Sequence, residues 1–372
     1  MEIYKLPTGD SVYRYAKSIV VCFSGQRRVL STSLFNGGYS EKYKAIFNHD
    51  ATQGAGMPCK VLADTYKEHM VIVATQLGLD PDCVTGVSTA ASMENVAINT
   101  LKYEGFSVTA IVTGGIETNG GRVGDPAEYF KPIFKNRKEG TINIFLFFNC
   151  DMPAAIMARA LVTCTEAKTA AIQELLAGSN YSTGLATGSG TDQTIIVADA
   201  EANMCMESAG KHSKAGELIG KVVMKTVKEA LAKQTGLTPR SQHSILKRLK
   251  RFGVTEDSFW NAYKVKNQVN IINKPQFISL LEEVAQDDFG VTITSLYLHL
   301  LDQHTWQLLT DEETVYAANK LLDTLAQEYG VELVELQKAA VEDFTTKIII
   351  LIVQVVQKKI NEVIKLDNLK EE

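Results

Sequence analysis

The sequence predicts an α/β domain, a mixed β-sheet with helices packed on it, followed by an all-α domain. Three observations carry this prediction. Strand-length apolar runs such as Ile142–Phe148 alternate with helical patterns such as Met152–Leu176. Hairpins and β-α-β steps occur together, which favours a mixed sheet over a doubly wound parallel one. Beyond Ser241 glycine nearly vanishes and the periodicity turns helical throughout. Gly236, Pro239 and Arg240 break the pattern, so the boundary is placed there, between residues 1–236 and 241–372.

Taken in order, Ser18–Phe23 and Arg28–Ser31 read as strands split by a turn at Ser24-Gly25-Gln26. Asn36-Gly37 is a strong turn signal because both residues tolerate positive φ, and Gly38 with the flanking hydroxyls also lets a ligand approach the backbone. Asn48-His49-Asp50 reads as a polar loop, a lone His being more often structural than catalytic. A helix is predicted over Pro58–Leu77, stopped by Gly78, and a strand from Val84 running into the small-residue turn at Ala90-Ala91. Asn95–Tyr103 and Phe106–Thr113 form a hairpin joined at Glu104-Gly105. The second strand empties into a glycine-rich loop, Thr113–Gly121 with Gly124-Asp125, whose exposed N–H groups suit an anion or a polar ligand. Strand Ile142–Phe148, helix Met152–Leu176, the Ala186–Asp192 turn and strand Gln193–Ala198 come next. Ser213 is the natural N-cap of a helix reaching about Lys233. In the second domain, residues 241–252, 275–287, 294–309, 311–329, 331–342 and 343–366 carry helical periodicity.

Composition narrows the function. A net charge of −5 is only mildly negative and does not point to nucleic acid or an anionic membrane as a partner. The six cysteines lack CxxC spacing, and several lie inside apolar segments, where free Cys is commonly a small buried hydrophobe. No basic-then-apolar leader is read at the N-terminus, so a reducing cytoplasm is expected. Ile348–Val356 is bracketed by Lys347 and Lys358 and is far shorter than the roughly 20 apolar residues of a membrane span, so a buried helix is predicted. The Walker ending, the dinucleotide fingerprint, the G-x-S-x-G elbow and zinc-ligand spacing are all missing. His299 and His304 stand five apart, which fits packing rather than a helical metal pair.

Polar residues gather at the ends of the first domain's elements: Asn36, His49, Asn119, Asp125, Thr141, Asn143, Glu166, Lys168, Asp192 and His212. Glu166 and Lys168 are two apart on a helix and point about 200° away from each other, so if one faces a pocket the other faces solvent or a different wall. Thr163 shares a face with Glu166, and Cys164 with Lys168.

The order Asn36-Gly37-Gly38, Asn48-His49, Thr89-Ala90-Ala91, Thr113-Gly114-Gly115-Ile116-Glu117-Thr118-Asn119, Gly124-Asp125, Gly140-Thr141-Ile142-Asn143, Thr165-Glu166-Ala167-Lys168, Ala186–Asp192 and Gly210-Lys211-His212-Ser213-Lys214 resembles the adenosylcobinamide amidohydrolase family of corrinoid salvage. The match spans about residues 15–235 and leaves the helical domain unexplained. The resemblance implies hydrolysis of the amide joining aminopropanol to the corrin ring of adenosylcobinamide. The products would be adenosylcobyric acid and the amino alcohol, a step in cobamide salvage and remodelling. It implies no resident cofactor or metal, the cobalt arriving with the substrate.

Amide hydrolysis requires a nucleophile or activated water, an oxyanion stabiliser and an acid for the leaving amine. The expected assignment gives acid–base work to Glu166 or His212, with Asp125 or Asp192 orienting and Lys168 holding a substrate amide or developing charge. Asn36, Asn119 or Asn143 and loop N–H groups would stabilise the oxyanion. Substrate contacts are expected from Asn36, Gly37, Gly38, His49, Thr113, Gly114, Asn119, Thr141, Asn143, Thr187, Gly188, Gly190 and Thr191. Two alternatives stand beside this. One is a self-cleaving amidase that releases an N-terminal nucleophile at Gly140-Thr141. The other is a corrinoid-binding regulator without turnover. The helical domain would serve as a dimerisation module, giving a homo-oligomer.

Overall fold

Strict two-residue alternation in the long buried strands sets the layers of the N-terminal half. The computed structural model describes residues 1–52, 59–127, 140–266 and 272–371, without the side chains of residues 266 and 365–371. The chain divides into two compact units, Met1–Thr238 and Pro239–Glu372. In chain order the first unit contains β1 (Glu2–Lys5), β2 (Ser11–Arg14), β3 (Ser18–Cys22), β4 (Arg27–Ser31), β5 (Gly38–Ser40), β6 (Ala45–Asp50) and α1 (Tyr66–Gln76). It continues with β7 (Val84–Thr89), β8 (Ala97–Tyr103), β9 (Phe106–Gly115), β10 (Gly120–Gly121), β11 (Thr141–Phe148), α2 (Ala154–Glu174), β12 (Gly188–Ser189), β13 (Gln193–Asp199) and α3 (Lys214–Thr235).

Two mixed sheets result, ordered β1-β2-β3-β6-β7 and β5-β4-β13-β11-β9-β8, with β10 and β12 as a separate short ribbon. Strand β11 runs parallel to β13 and antiparallel to β9, and all eight of its residues are buried. That burial on both faces explains why it reads as an unbroken apolar run. Ile142, Ile144, Leu146 and Phe148 pack with α2 and α3, whereas Phe145 and Phe147 pack with Val12, Ile19, Ile46 and Val87 of the other sheet. The outer face of that other sheet buries Val20, Phe47 and Val84 against Met70 and Val73 of α1. The unit is therefore a four-layer α/β/β/α stack.

Arg27, 2% exposed, bridges the two sheets through Asp10 and Asp199. Its Nε and Nη2 donate to Asp10 at 3.0 Å each, and its Nη1 donates to Asp199 at 2.8 Å. Such a buried charge persists only because each of its faces is paired and hydrogen-bonded.

Several sequence expectations are corrected here. Asn48-His49-Asp50 is no loop but the end of β6, an inner strand between β3 and β7. The helix expected from Pro58 begins at Tyr66, because Thr65 and Glu68 form a capping box, and Pro58 itself lies outside the described residues. Strands β1 and β2 were not predicted. Ser213 caps α3 by accepting from the Gly216 N–H, as predicted, and Gly236 closes that helix in the left-handed conformation.

The second unit is helical: α4 (Ile245–Leu249), α5 (Glu256–Lys266), α6 (Lys274–Ala285), α7 (Asp288–Thr305), α8 (Asp311–Tyr329) and α9 (Val341–Glu371). Its core joins Phe259, Tyr263, Phe277, Tyr297 and Phe344 to the apolar face of α9. Residues 331–340, expected to be helical, are not, because Gly330 ends α8 in the left-handed conformation. Helix α5 was missed. Among the described residues no helix is long and apolar enough to cross a membrane, and Ile348, Leu351 and Ile352 are buried in the core. His304 pairs with Asp311 at 2.6 Å, and His299 lies 3.7 Å from Asp302.

Candidate active site

The start of β11 is where the polar residues converge. Parallel pairing with β13 brings the Ala186–Asp192 turn beside it, and antiparallel pairing with β9 brings in the loop that follows Gly115. Gly120 and Gly121 pair with Ser189 and Gly188, tying that loop to the turn.

Asp192 is the hub. Its Oδ1 accepts from the Ile142 N–H at 2.8 Å and from the Ser189 hydroxyl at 2.6 Å. Its Oδ2 accepts from the Ser189 N–H at 3.0 Å and forms an ion pair with Lys168 of α2. Both side chains of that pair are 12% exposed. A Cβ on Gly188 would lie 2.3 Å from Asp192 Oδ2 and 2.6 Å from Lys168 Nζ, so only glycine leaves room for the pair.

Thr141, buried, donates to the Thr191 carbonyl at 2.7 Å. The Gly140 carbonyl accepts from Asn119 Nδ2 and from the Thr191 hydroxyl, each at 3.0 Å. Tyr181 donates to Asn119 Oδ1 at 2.9 Å, which fixes the amide so that its NH2 faces Gly140. Thr187 holds the neighbouring loop by accepting from the Val123 N–H at 2.9 Å, while Thr169 of α2 donates to the Thr187 carbonyl at 3.1 Å. Asp125 accepts from the Arg122 N–H at 2.7 Å and from Ser179 at 2.5 Å. Partial burial works against the Asp125 charge, but the bonds from Ser179, Ser182 and Arg122 outweigh it and hold the carboxyl below its usual range.

A second polar row lies between the sheets. Asn48 Nδ2 donates to Thr113 at 2.7 Å, and Asn143 Nδ2 donates to Asn48 Oδ1 at 2.9 Å and to the Ser88 carbonyl at 3.1 Å. Asn143 is 1% exposed and its Oδ1 has no partner among the described residues.

The structure therefore gathers Lys168, Asp192, Thr141, Thr191, Asn119, Thr187 and Gly188 at one place, with Asp125, Thr113 and Asn143 adjoining through hydrogen bonds or β11 pairing. It leaves other predicted residues apart. Glu166 forms an exposed ion pair with Lys211 at 3.1 Å, on a different face of α2 from Lys168, as the helix geometry requires. His212 is exposed. Asn36, at φ +50°, donates to the carbonyls of Pro81 and Val84 at 2.7 and 2.8 Å, so its amide is committed to the turn. A Cβ on Gly37 would meet the Ser33 carbonyl at 1.9 Å, and Gly38 has φ +88°. Turn chemistry accounts for all three. Gly114 is pressed against Ile142, where a Cβ would sit 3.2 Å from Cγ1, and Gly190 is exposed near Asn119. His49 bonds Ser18 at 2.9 Å through Nδ1, and its ring lies tilted against that of His69, 6.1 Å between centroids. Burial and the neighbouring His69 lower its pKa to about 4, so it is neutral near pH 7.

Sequence reading missed Tyr181, Ser189 and Asn48. Ser189 and Asn48 stood within motifs already singled out, the glycine-rich turn and Asn48-His49, with no role given to either; nothing local marks Tyr181, and the partners of Tyr181 and Asn48 are 62 and 65 residues away. Cys150 and Cys164 are buried, and desolvation pushes both thiols up to about 12, which removes them as nucleophiles. Among the described residues no group of three or more His, Cys, Asp or Glu could hold a metal ion.

An uncharacterized protein of Methanocaldococcus jannaschii is 34% identical over 247 residues, covering 62% of this chain and 93% of its own length. A crystal structure of a Pyrococcus horikoshii OT3 protein matches 61% of this chain and 79% of its own, at 10% identity and a TM-score of 0.28. The family model described as adenosylcobinamide amidohydrolase, a hydrolase by name, matches residues 3–239, which takes in the first unit with its Lys168–Asp192 hub. This chain belongs to the adenosylcobinamide amidohydrolase family.

Proposed function

We propose that the protein hydrolyses the amide linking aminopropanol to the corrin ring of adenosylcobinamide, releasing adenosylcobyric acid and the amino alcohol, and that it works in the cytoplasm on salvaged corrinoids. The observation that carries this reading is the coincidence of the family match, residues 3–239, with a semi-buried polar cluster suited to amide chemistry.

In this reading Asn119 Nδ2 and the Thr191 hydroxyl, the fixed donors that hold the Gly140 carbonyl, turn to the oxyanion of the tetrahedral intermediate once that carbonyl is displaced. Lys168 lies beside the developing charge and donates a proton toward the leaving amine, while Asp192 holds it in place. The exposed Glu166 and His212 carry no chemistry in this assignment. The cobalt belongs to the substrate, and the C-terminal helices serve association of the chain with itself.

The test is mass spectrometry of purified protein incubated with adenosylcobinamide. Adenosylcobyric acid is the expected product. Unchanged substrate that co-elutes with the protein would point instead to a corrinoid-binding regulator, and neither turnover nor binding would overturn the corrinoid reading altogether.

A further inference from the structure

We propose that the Gly140–Thr141 peptide bond is a self-cleavage junction, and that Thr141, released as an N-terminal residue, is the nucleophile of the mature enzyme. The second half of this inference rests on the amidohydrolase reading; the first half does not.

Three features of the junction carry it. Gly140 has φ +122°, a conformation closed to L side chains, and a Cβ there would lie 3.1 Å from Asn119 and 3.2 Å from the Gly115 carbonyl. This turn holds the carbonyl on a pair of side-chain donors, Asn119 Nδ2 and the Thr191 hydroxyl, both at 3.0 Å. Backbone carbonyls at strand starts normally bond to other backbone or to water, whereas two convergent side-chain N–H and O–H groups are what an oxyanion hole provides. The next residue then supplies a hydroxyl on a buried strand start, held by the Thr191 carbonyl at 2.7 Å. A carbonyl polarised by two donors, with a hydroxyl on the following residue, is the arrangement for an N-to-O acyl shift.

The bonds balance as follows. Thr141 Oγ1 attacks the Gly140 carbonyl carbon; the C–O bond forms, the C–N bond breaks, and the hydroxyl proton ends on the Thr141 nitrogen. Water then cleaves the ester, its OH going to the Gly140 carboxyl and its proton returning to Oγ1. The freed α-amine becomes the base for its own hydroxyl, as in enzymes with an N-terminal Thr. Asn119 and Thr191 no longer hold Gly140 and are left aimed at the position of a substrate carbonyl oxygen. One set of donors therefore serves both reactions.

The experiment is intact-mass analysis and N-terminal sequencing of the purified full chain, run beside the adenosylcobinamide assay. Two polypeptides are expected, one beginning at Thr141. Thr141→Ala should give one unbroken chain, and Thr141→Ser, which keeps a hydroxyl, should still give two. Thr191→Val should slow the cleavage about a hundredfold, the usual effect of losing one oxyanion donor. A single unbroken wild-type chain overturns the proposal whether or not it turns over adenosylcobinamide. Cleavage that persists in Thr141→Ala overturns it too, since a foreign protease is then responsible. A chain cleaved at Thr141 that leaves adenosylcobinamide untouched upholds self-cleavage and sinks the substrate reading instead.

Discussion

Replacing Asp192 by Asn tests whether the hub works through its charge. The carboxylate accepts four hydrogen bonds, two on each oxygen: Ile142 N–H and Ser189 Oγ on Oδ1, Lys168 and Ser189 N–H on Oδ2. An amide has one accepting oxygen. Whichever way it is turned, its NH2 faces a group that can only donate, either Lys168 with the Ser189 N–H or the Ile142 N–H. Hydrogen bonds to charged groups are worth about 1.5–3 kcal/mol each. The pair is 12% exposed on both sides, so solvent screens part of it, and its coupling should fall between the roughly 0.2–1 kcal/mol of exposed pairs and the 3–5 kcal/mol lost from buried ones. Asp192→Asn should therefore cost about 3 kcal/mol, and a double-mutant cycle with Lys168→Met should return a coupling of about 1–3 kcal/mol. Both tryptophans, Trp260 and Trp306, lie in the second unit, so their fluorescence is the wrong probe. Hydrogen exchange of peptides covering β11 reads the right element, since the Ile142 N–H loses its acceptor. Turnover of adenosylcobinamide should fall together with that protection. Unchanged exchange in β11, a coupling near zero and full turnover would refute the reasoning.

Gly188→Ala should abolish turnover while leaving the fold in place, because its Cβ would lie 2.3 Å from Asp192 Oδ2 and separate it from Lys168; circular dichroism beside the activity assay checks this. Arg27→Met should lower stability by about 3–5 kcal/mol, since it strands the buried carboxylate of Asp10, and urea unfolding followed by far-ultraviolet circular dichroism measures it. For His49 the folded pKa, about 4, lies below the ordinary 6.5, so the unfolded chain binds the extra proton. Stability is then unaffected above pH 6.5 and declines as pH falls toward 4, by on the order of 3 kcal/mol in total; His49→Asn should flatten that part of the curve. With native protein, a thiol reagent should modify the exposed Cys205 well before the buried Cys150 and Cys164, and peptide mapping reads the order.

What the sequence determined by itself is local. The apolar run of β11, the length of α2, the Ser213 cap and the turn at Asn36-Gly37 follow from periods of 2 and 3.6 residues and from backbone preferences that a single residue carries. The opposite facing of Glu166 and Lys168 follows in the same way, since helix geometry needs no knowledge of the neighbours. Only the tertiary structure decided which of the two is buried, because that depends on Asp192, 24 residues further on, being delivered beside α2 by the pairing of β13 with β11. The same holds for β6. Its polar end, Asn48-His49-Asp50, lacks any strand signal and becomes an inner strand because β3 and β7 satisfy its backbone on both sides. The stacking of two sheets between helices, and the meeting of Asn119 and Thr191 on the Gly140 carbonyl across 21 and 51 residues of chain, are likewise long-range outcomes. Local patterns state what a segment is; burying both faces of β11 states what it must touch.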